Sequence, residues 1–281
     1  MSAAEEKCLE GLSRIGIIAG GGALPRMLIA ACQDRGIEPF IVAFEGQTDP
    51  ETPDGLDHIW VHLGATRKVI RTLRKSGIRD LVMLGSIRRP SLSELKPDFK
   101  TVEFFAKEGW KSLGDDSLLR ALRRFLEGEG FTLHGAQEFI PELLAPEGVI
   151  GRIKPHAAQR RDIARGIEVL KALSRQDVGQ AAVVQNGHVL GIEGAEGTDG
   201  LIRRCGDLKR KGHGAVLVKL CKDTQDQDLD LPTIGPHTVD NIIQSGFSGL
   251  AVHAGKSFIS QIDDVREKAD SAGVFVIGIS L

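Results

Sequence analysis

Two stretches in the second half of the sequence concentrate carboxylates just after predicted strands. The stretch from Glu193 to Asp199 holds three acidic residues, and the stretch from Gln225 to Asp230 holds three more. Carboxylate oxygens on loops, together with phosphate oxygens and water, are the ligands that Mg²⁺ prefers. Either stretch alone could be a solvated turn, but the presence of both favours a divalent-metal site in this half of the chain.

Three loops in the first half carry groups that suit phosphate or sugar. The glycine run from Gly20 to Gly22 lies between a predicted strand and a helix, where backbone N–H groups can approach an anion closely. The loop from Gly85 to Pro90 also follows a strand, and its two arginines match phosphate oxygens in geometry. Gly114 to Asp116 opens a helix with two aspartates, one more than an N-cap needs. Each loop also has a purely structural explanation: the glycine run as a tight turn, the two arginines as ordinary surface residues, and the aspartates as an N-cap.

Several common catalytic patterns are missing from the sequence. Its eight histidines form no HExxH or HxH spacing, its four cysteines form no CxxC, and it has no tyrosine and no G-x-S-x-G elbow. The glycine run is neither a GxGxxG fingerprint nor a P-loop. A formal net charge of -2 provides no basic field, so no nucleic-acid partner is predicted.

Strands alternating with helices predict a parallel sheet in the first half. Apolar strand patterns occur at Arg14–Ala19, Glu38–Phe44, His58–Leu63 and Asp80–Leu84, and helical patterns at Leu24–Ala31, Ala65–Lys75 and Ser117–Leu126. This alternation is typical of right-handed βαβ units, and open sheets of that kind bind ligands beyond the carboxyl ends of their strands.

The glycine- and proline-rich stretch from Glu142 to Pro155 predicts a domain boundary, with an N-terminal domain over residues 1–145 and a C-terminal domain over 146–281. Beyond it we expect a helix from about His156 to Arg175 and a hairpin that turns at Asn186-Gly187. More strands alternating with helices follow. The predicted fold class is therefore α/β, a Rossmann-like parallel-sheet domain followed by a second, mixed α/β domain.

The N-terminal residues lack the apolar core of a signal peptide, and no apolar run approaches the ~20 residues that span a bilayer. Isolated cysteines fit a reducing compartment. A cytoplasmic protein is expected, with contact at the inner-membrane surface left open.

Six short segments together resemble one known family. In the first half they are Ile-Ala-Gly-Gly-Gly-Ala-Leu-Pro at 18–25, the Gly-x-x-x-Arg-Pro of Gly85–Pro90, and Gly114-Asp115-Asp116. In the second they are Asp177-Val-Gly-Gln180, the E-x-x-E-G-T-D of Glu193–Asp199, and Asp230-Leu-Pro-Thr-Ile-Gly235. In this order the segments are similar to the LpxI-type UDP-2,3-diacylglucosamine pyrophosphatases of lipid A biosynthesis.

The resemblance implies a homodimeric, Mg²⁺-dependent hydrolase in which water attacks the β-phosphorus, yielding UMP and 2,3-diacylglucosamine 1-phosphate. It places the catalytic aspartate at Asp230. It places substrate contacts at Gly21, Gly22, Ile87, Arg89, Asp115, Asp116, Gln180, Thr198 and Asp199. We hypothesise that Asp230, with Asp199 or Glu196, holds the metal against the pyrophosphate.

One position departs from the family pattern. The family usually has arginine two residues before the aspartate of D-L-P-T-I-G, whereas this chain has Asp228. A carboxylate there would repel a pyrophosphate. Either Asp228 points away, or Arg203, Arg204 or Lys222 supplies the positive charge, or activity is impaired.

Two alternative functions follow from these observations. The first is a nucleotide-sugar or lipid-binding homologue without catalysis, for which Asp228 is the best argument. The second is a nucleotide-dependent oxidoreductase built on the first βαβ unit, and the missing GxGxxG weighs against it.

Overall fold

The computed structural model describes residues 11–88, 95–108, 115–176, 178–222 and 225–281. The chain folds into two compact units. The first comprises Met1–Pro141 together with Asp228–Asp230, and the second comprises Glu142–Gln227 together with Leu231–Leu281. The three residues Asp228, Leu229 and Asp230 therefore belong to the first unit, although their neighbours in sequence on both sides belong to the second.

The first unit is built on a parallel sheet with strand order β3-β2-β1-β4-β5. Its strands are β1 (Arg14–Ala19), β2 (Glu38–Phe44), β3 (His58–Val61), β4 (Asp80–Leu84) and β5 (Thr132–His134), and its helices are α1 (Leu24–Asp34), α2 (Thr66–Lys75), α3 (Phe99–Glu108) and α4 (Asp115–Gly128). Strands β1 and β2 are buried almost throughout, as expected for parallel strands in the interior of an α/β unit. The predicted Rossmann-like parallel sheet is confirmed.

The strand order reverses between β1 and β4. The chain runs from β1 to β2 and β3 on one side and then returns to place β4 on the other side of β1. In open α/β sheets, ligands commonly bind at such a reversal, beyond the carboxyl ends of the strands. The glycine run after β1 and the loop after β4 are the two loops at this position.

The core of the first unit includes a residue from outside its main segment. Leu73, Ile78 and Leu81 are almost completely buried in it, and Leu229 joins the same cluster with only 7% of its surface exposed. Burying a leucine side chain contributes about 1.5–3 kcal/mol. Leu229 therefore anchors the three-residue segment by a hydrophobic contact.

The second unit contains a mixed sheet with strand order β6-β13-β11-β9-β7-β8. Its strands are β6 (Gly148–Val149), β7 (Ala181–Gln185), β8 (His188–Ile192), β9 (Val216–Lys219), β11 (Gly249–His253) and β13 (Phe275–Ile279), while β10 (Thr233–Ile234) and β12 (Phe258–Ile259) form a separate parallel pair. Strands β9, β11 and β13 are parallel, and β6 and β7 run antiparallel to their neighbours. The predicted mixed α/β unit is confirmed.

Helices pack on both sides of this sheet and bury two apolar clusters. They are α5 (Ala157–Leu173), α6 (Gly197–Leu208), α7 (Pro236–Gln244) and α8 (Ile262–Ala272). Short 3₁₀ turns lie at Ala136–Glu138 in the first unit, at Pro141–Leu143 where the chain passes from the first unit to the second, and at Ser174–Gln176 in the second unit. None of the described helices combines the length and the apolar character needed to cross a lipid bilayer.

The hairpin between β7 and β8 turns where the sequence predicted. Asn186 and Gly187 both have positive φ, 53° and 77°, which an Asn-Gly pair adopts at little cost. The buried carboxylate of Asp162 on α5 accepts hydrogen bonds from both of their N–H groups, at 3.0 and 2.7 Å. Local turn chemistry and a tertiary hydrogen-bond acceptor thus specify the same conformation.

A buried histidine supplies a pH-dependent contact in the first unit. His134, at the end of β5, lies 2.8 Å from Asp80 through Nε2 and 3.6 Å from Glu138 through Nδ1. These carboxylates, Glu138 foremost, raise the pKa of His134 above its usual value despite burial. The stabilisation from the charged ring is therefore fully present below the unfolded-state pKa and is lost as the pH rises through the folded-state pKa.

The His134→Gln substitution should destabilise the first unit more at pH 6 than at pH 9. At pH 6 it removes a charged hydrogen-bond donor, a loss of about 1–3 kcal/mol, and this loss shrinks as the pH rises through the raised pKa of His134 and the wild-type ring loses its charge. Thermal unfolding at the two pH values measures the difference. His58→Gln, at an exposed position of the same sheet, is the control, and an equal effect of His134→Gln at both pH values would contradict the assignment.

Candidate functional site

The glycine run after β1 packs directly against the loop after β4. The N–H groups of Gly20 and Gly21 donate to the carbonyl oxygens of Leu84 and Ser86, both at 2.8 Å. A Cβ atom on Gly20 would lie 2.5 Å from the carbonyl carbon of Gly85, so only glycine permits this approach. The glycine run therefore packs against the loop after β4 at the carboxyl edge of the sheet of the first unit.

An acidic side chain occupies the position where the sequence predicted an anion. The N–H of Gly22 donates to a carboxylate oxygen of Asp49 at 2.8 Å. A phosphate that bound to this N–H would have to replace Asp49. Gly21 and Gly22 thus lie at the carboxyl edge, but their N–H groups already have partners within the first unit.

Of the other substrate contacts predicted in the first unit, the structure describes Ile87 fully and the two aspartates only by their backbone. Ile87 follows the packed loop and is 39% exposed, and the N–H of the next residue, Arg88, donates to Gln47 Oε1 at 2.8 Å. Arg89 lies outside the described residues. Asp115 and Asp116 form the first turn of α4, and their side chains also lie outside the described part of the chain.

Asp228 is held by two partners in the first unit. Its Oδ2 accepts from Arg123 Nη2 at 2.9 Å, and its Oδ1 accepts from Gln137 Nε2 at 3.1 Å. Leu229 is buried beside it, and Asp230 follows at a half-buried position. From the sequence, the cations expected to supply a positive charge here were Arg203, Arg204 and Lys222. The structure instead pairs Asp228 with Arg123, which was not among them.

In the second unit a buried carboxylate connects two predicted substrate contacts. Glu193, 7% exposed, lies directly after β8. Its Oε2 accepts from the backbone N–H of Gln180 at 2.8 Å, and its Oε1 accepts from the hydroxyl of Thr198 at 2.6 Å. Gln180 precedes β7 and Thr198 lies in the first turn of α6, so Glu193 brings both to one edge of the sheet.

A buried lysine completes this network. Lys219 is the last residue of β9 and is 7% exposed. Its ammonium group donates to Thr198 Oγ1 at 3.1 Å and to the carbonyl oxygen of Thr233 at 3.0 Å. Charges buried to this extent persist only when they are compensated. The hydroxyl of Thr198 accepts from Lys219 and donates to Glu193, and so couples the two opposite charges.

The predicted metal ligands are divided between the two units and differ in their partners. Glu196 forms a 2.6 Å ion pair with Arg204, and this hydrogen bond lowers the pKa of Glu196. Asp199 accepts from Asn241 at 2.8 Å and lies 3.5 Å from a ring nitrogen of His237. Asp230 belongs to the first unit. Within the described residues no three or more metal-binding side chains are grouped together.

These surroundings distinguish the three carboxylates as donors for Mg²⁺. Asp230 and Asp199 offer the oxygen ligands that Mg²⁺ prefers. Glu196 fits less well, because binding a cation would compete with its guanidinium partner. The metal set remains a prediction, with Glu196 its weakest member.

Comparison with known proteins decides the family. A sequence model of the LpxI N-terminal domain matches residues 14–143, and one of the LpxI C-terminal domain matches residues 146–277. The chain belongs to the LpxI family. A relative from Caulobacter vibrioides, named UDP-2,3-diacylglucosamine pyrophosphatase LpxI, is 34% identical over 277 residues, covering 95% of this chain and 98% of the relative.

Solved structures resemble this LpxI-family chain only distantly. The Bordetella bronchiseptica enzyme WbmG in complex with NAD is 14% identical, with a TM-score of 0.30, over 43% of this chain and 36% of that one. N5-carboxyaminoimidazole ribonucleotide synthetase from Thermotoga maritima is also 14% identical, with a TM-score of 0.25, over 61% and 38% of the two chains. Likenesses this weak carry no argument about function.

Two residues of the polar network at Thr198 were not singled out from the sequence. Glu193 was noted only as one of several acids, yet the structure buries it and leaves Glu196 exposed. Lys219 was missed, although its position gives a signal. It stands within the apolar segment Ala215 to Cys221, where a lysine at the end of a buried strand must find polar partners.

We expect Glu193 and Lys219 to be energetically coupled in this LpxI-family protein. Glu193→Gln leaves a buried ammonium group uncompensated and should cost about 1–3 kcal/mol, as should Lys219→Met for the carboxylate. The double variant should lose less than the sum of the two. Urea denaturation measures the four free energies of unfolding.

The exposed Arg165–Glu168 pair on α5, 3.0 Å apart, provides a matched control. Its coupling should be about 0.2–0.5 kcal/mol, as is usual for neighbouring charges on a helix surface. Strictly additive losses at Glu193 and Lys219 would contradict the buried network.

Proposed function

We propose that this protein hydrolyses the pyrophosphate bond of UDP-2,3-diacylglucosamine to UMP and 2,3-diacylglucosamine 1-phosphate, a step of lipid A biosynthesis. The observation that carries the proposal is the match along 95% of the chain to a relative named for this activity. Matches to both LpxI domain models support it. So does Asp230, at the position of the family's catalytic aspartate.

The reaction requires charge neutralisation more than covalent chemistry. In hydrolysis at the β-phosphorus, a water oxygen bonds to that phosphorus as its bond to the bridging oxygen breaks, and UMP leaves with the bridging oxygen. Negative charge builds up on the phosphate oxygens, so positioned cations and hydrogen-bond donors lower the barrier. We assign Asp230 to binding and orienting the attacking water or its metal.

The polar edge of the second unit is suited to holding a phosphorylated sugar. Gln180 and Thr198 are fixed through Glu193, and Lys219 places a positive charge beside Thr198. An ammonium group at this edge offsets part of the charge of a bound phosphate. In this proposal Glu193 holds the backbone at Gln180 and the hydroxyl of Thr198, and does not itself bind the substrate.

We further propose that the enzyme uses Mg²⁺ and that Asp230 takes part in binding it. When bound, Mg²⁺ supplies charge neutralisation at phosphate oxygens and a water of lowered pKa. Family membership is also our basis for proposing a cytoplasmic homodimer that meets its lipid substrate at the inner-membrane surface.

A catalytically inactive binding protein is now the weaker alternative. Its main argument was the negative charge of Asp228 beside a pyrophosphate. Because Arg123 and Gln137 bind both carboxylate oxygens of Asp228, that charge is compensated within the first unit.

Release of UMP from UDP-2,3-diacylglucosamine tests the proposal. The wild-type protein should turn over with Mg²⁺ and stop with EDTA, and Asp230→Asn should reduce turnover by about 100-fold or more. Asp263→Asn, at an exposed aspartate on α8, is the control for the loss of one carboxylate. Full turnover by Asp230→Asn would refute the role of Asp230, and a wild-type protein that binds the lipid without releasing UMP would favour the binding-protein alternative.

A further inference from the structure

We propose that Arg123 is a positioning residue for the catalytic aspartate, acting through Asp228 to fix the segment Asp228–Asp230. This inference rests on the proposed function, because it assigns the geometry of Asp230 to a side chain on another element. Arg123 lies on α4, 105 residues before Asp228 in the sequence. None of the sequence motifs includes it.

Asp228 is restrained at both of its carboxylate oxygens. Arg123 on α4 binds Oδ2 and Gln137 of the 3₁₀ turn binds Oδ1, so two separate elements oppose rotation of the side chain. The Gln137 side chain occupies space that is free because residue 135 is glycine, since a Cβ atom on Gly135 would overlap that side chain. The carboxylate of Asp228 thus has a defined orientation at the surface of the first unit.

The next residue restrains the same stretch of backbone from the other side. Leu229 is buried in the core of the first unit, directly between Asp228 and Asp230. A polar clamp and a hydrophobic anchor therefore act on consecutive residues immediately before Asp230. Together they leave the backbone that carries the catalytic carboxylate little freedom to move.

The Arg123–Asp228 pair is better explained by positioning than by stability. The two side chains are 22% and 43% exposed, and ion pairs with such access to solvent contribute little to folding. Displacing a catalytic group by about 1 Å, in contrast, can slow a reaction by about 100-fold. We therefore expect loss of the pair to affect turnover much more than the melting temperature.

Reversing the charges tests this directly. In the full-length protein with Mg²⁺, Arg123→Asp and Asp228→Arg should each lower kcat for UMP release by roughly 10- to 100-fold, with KM changed by less than about threefold. Asp228→Arg is the sharper case. It introduces the residue expected from the family pattern, yet here it would face Arg123.

The double variant Arg123→Asp/Asp228→Arg restores opposite charges and should recover kcat to within roughly threefold of wild type. The same exchange at the exposed pair, Arg165→Asp/Glu168→Arg, should leave kcat unchanged in the single and double variants. Wild-type kcat in both single variants, or a double variant as slow as the product of the two, would overturn the proposal.

Hydrogen–deuterium exchange separates this inference from the proposed function. In Arg123→Asp, the peptide covering residues 225–235 should exchange faster than in wild type, while peptides of the β1–β4 core should be unaffected. Unchanged exchange would refute the clamp whatever the activity. Faster exchange in Arg123→Asp, together with a wild-type protein that releases no UMP, would keep the clamp and reject the proposed reaction.

Discussion

The burial of Leu229 in the core of the first unit is the contact on which the arrangement of the candidate site depends. It removes a single leucine from water, yet it assigns Asp228 and Asp230 to a unit different from that of the residues around them in sequence. Asp230 consequently shares a unit with the glycine run and the loop after β4. A motif that reads as one continuous string, D-L-P-T-I-G, is thus divided structurally after its first residue.

A second constraint governs the other unit, where burial of charge is tolerated only with compensation. Lys219 and Glu193 are both withdrawn from water, and the hydroxyl of Thr198 links them. The same hydrogen bonds fix Gln180 at the start of β7 and Thr233 at the start of β10. The cost of desolvating a lysine and a glutamate is offset by interactions that also order this polar edge of the second unit.

The sequence predicted those features that local patterns encode. Alternation of strands and helices gave the parallel sheet, and Asn186-Gly187 gave the hairpin turn. Strands β6, β10 and β12 were missed because two residues are too few to show periodicity. The partners of Asp228 could not be predicted, because Arg123 and Gln137 are distant in sequence and nothing in their own segments indicates pairing. Glu196 looked like a metal ligand because its ion pair with Arg204, about two turns along α6, forms only once the helix is in place.

The residues of the candidate site fall into two groups: those that sequence motifs identify, and those that only contacts in the folded chain identify. Of the motif residues, Thr198 lies at the start of α6, whereas Asp230 lies in the loop before β10. The residues that hold them, namely Glu193, Lys219, Arg123 and Leu229, are identified by burial and hydrogen bonding in the folded chain. In the first unit, Arg123, Gln137 and Leu229 explain how a chain with Asp228 at this position keeps the segment Asp228–Asp230 ordered.

Leu229→Ala shows whether anchoring of the segment Asp228–Asp230 in the first unit supports catalysis, because it removes the buried side chain between the two aspartates. Leu126→Ala is the matched control, since Leu126 is 3% exposed in the same core. Both variants should lose about 2–5 kcal/mol of stability. At a temperature where both remain folded, Leu229→Ala alone should lose most UMP release while Leu126→Ala stays near wild type. Equal activities in the two variants would contradict the account.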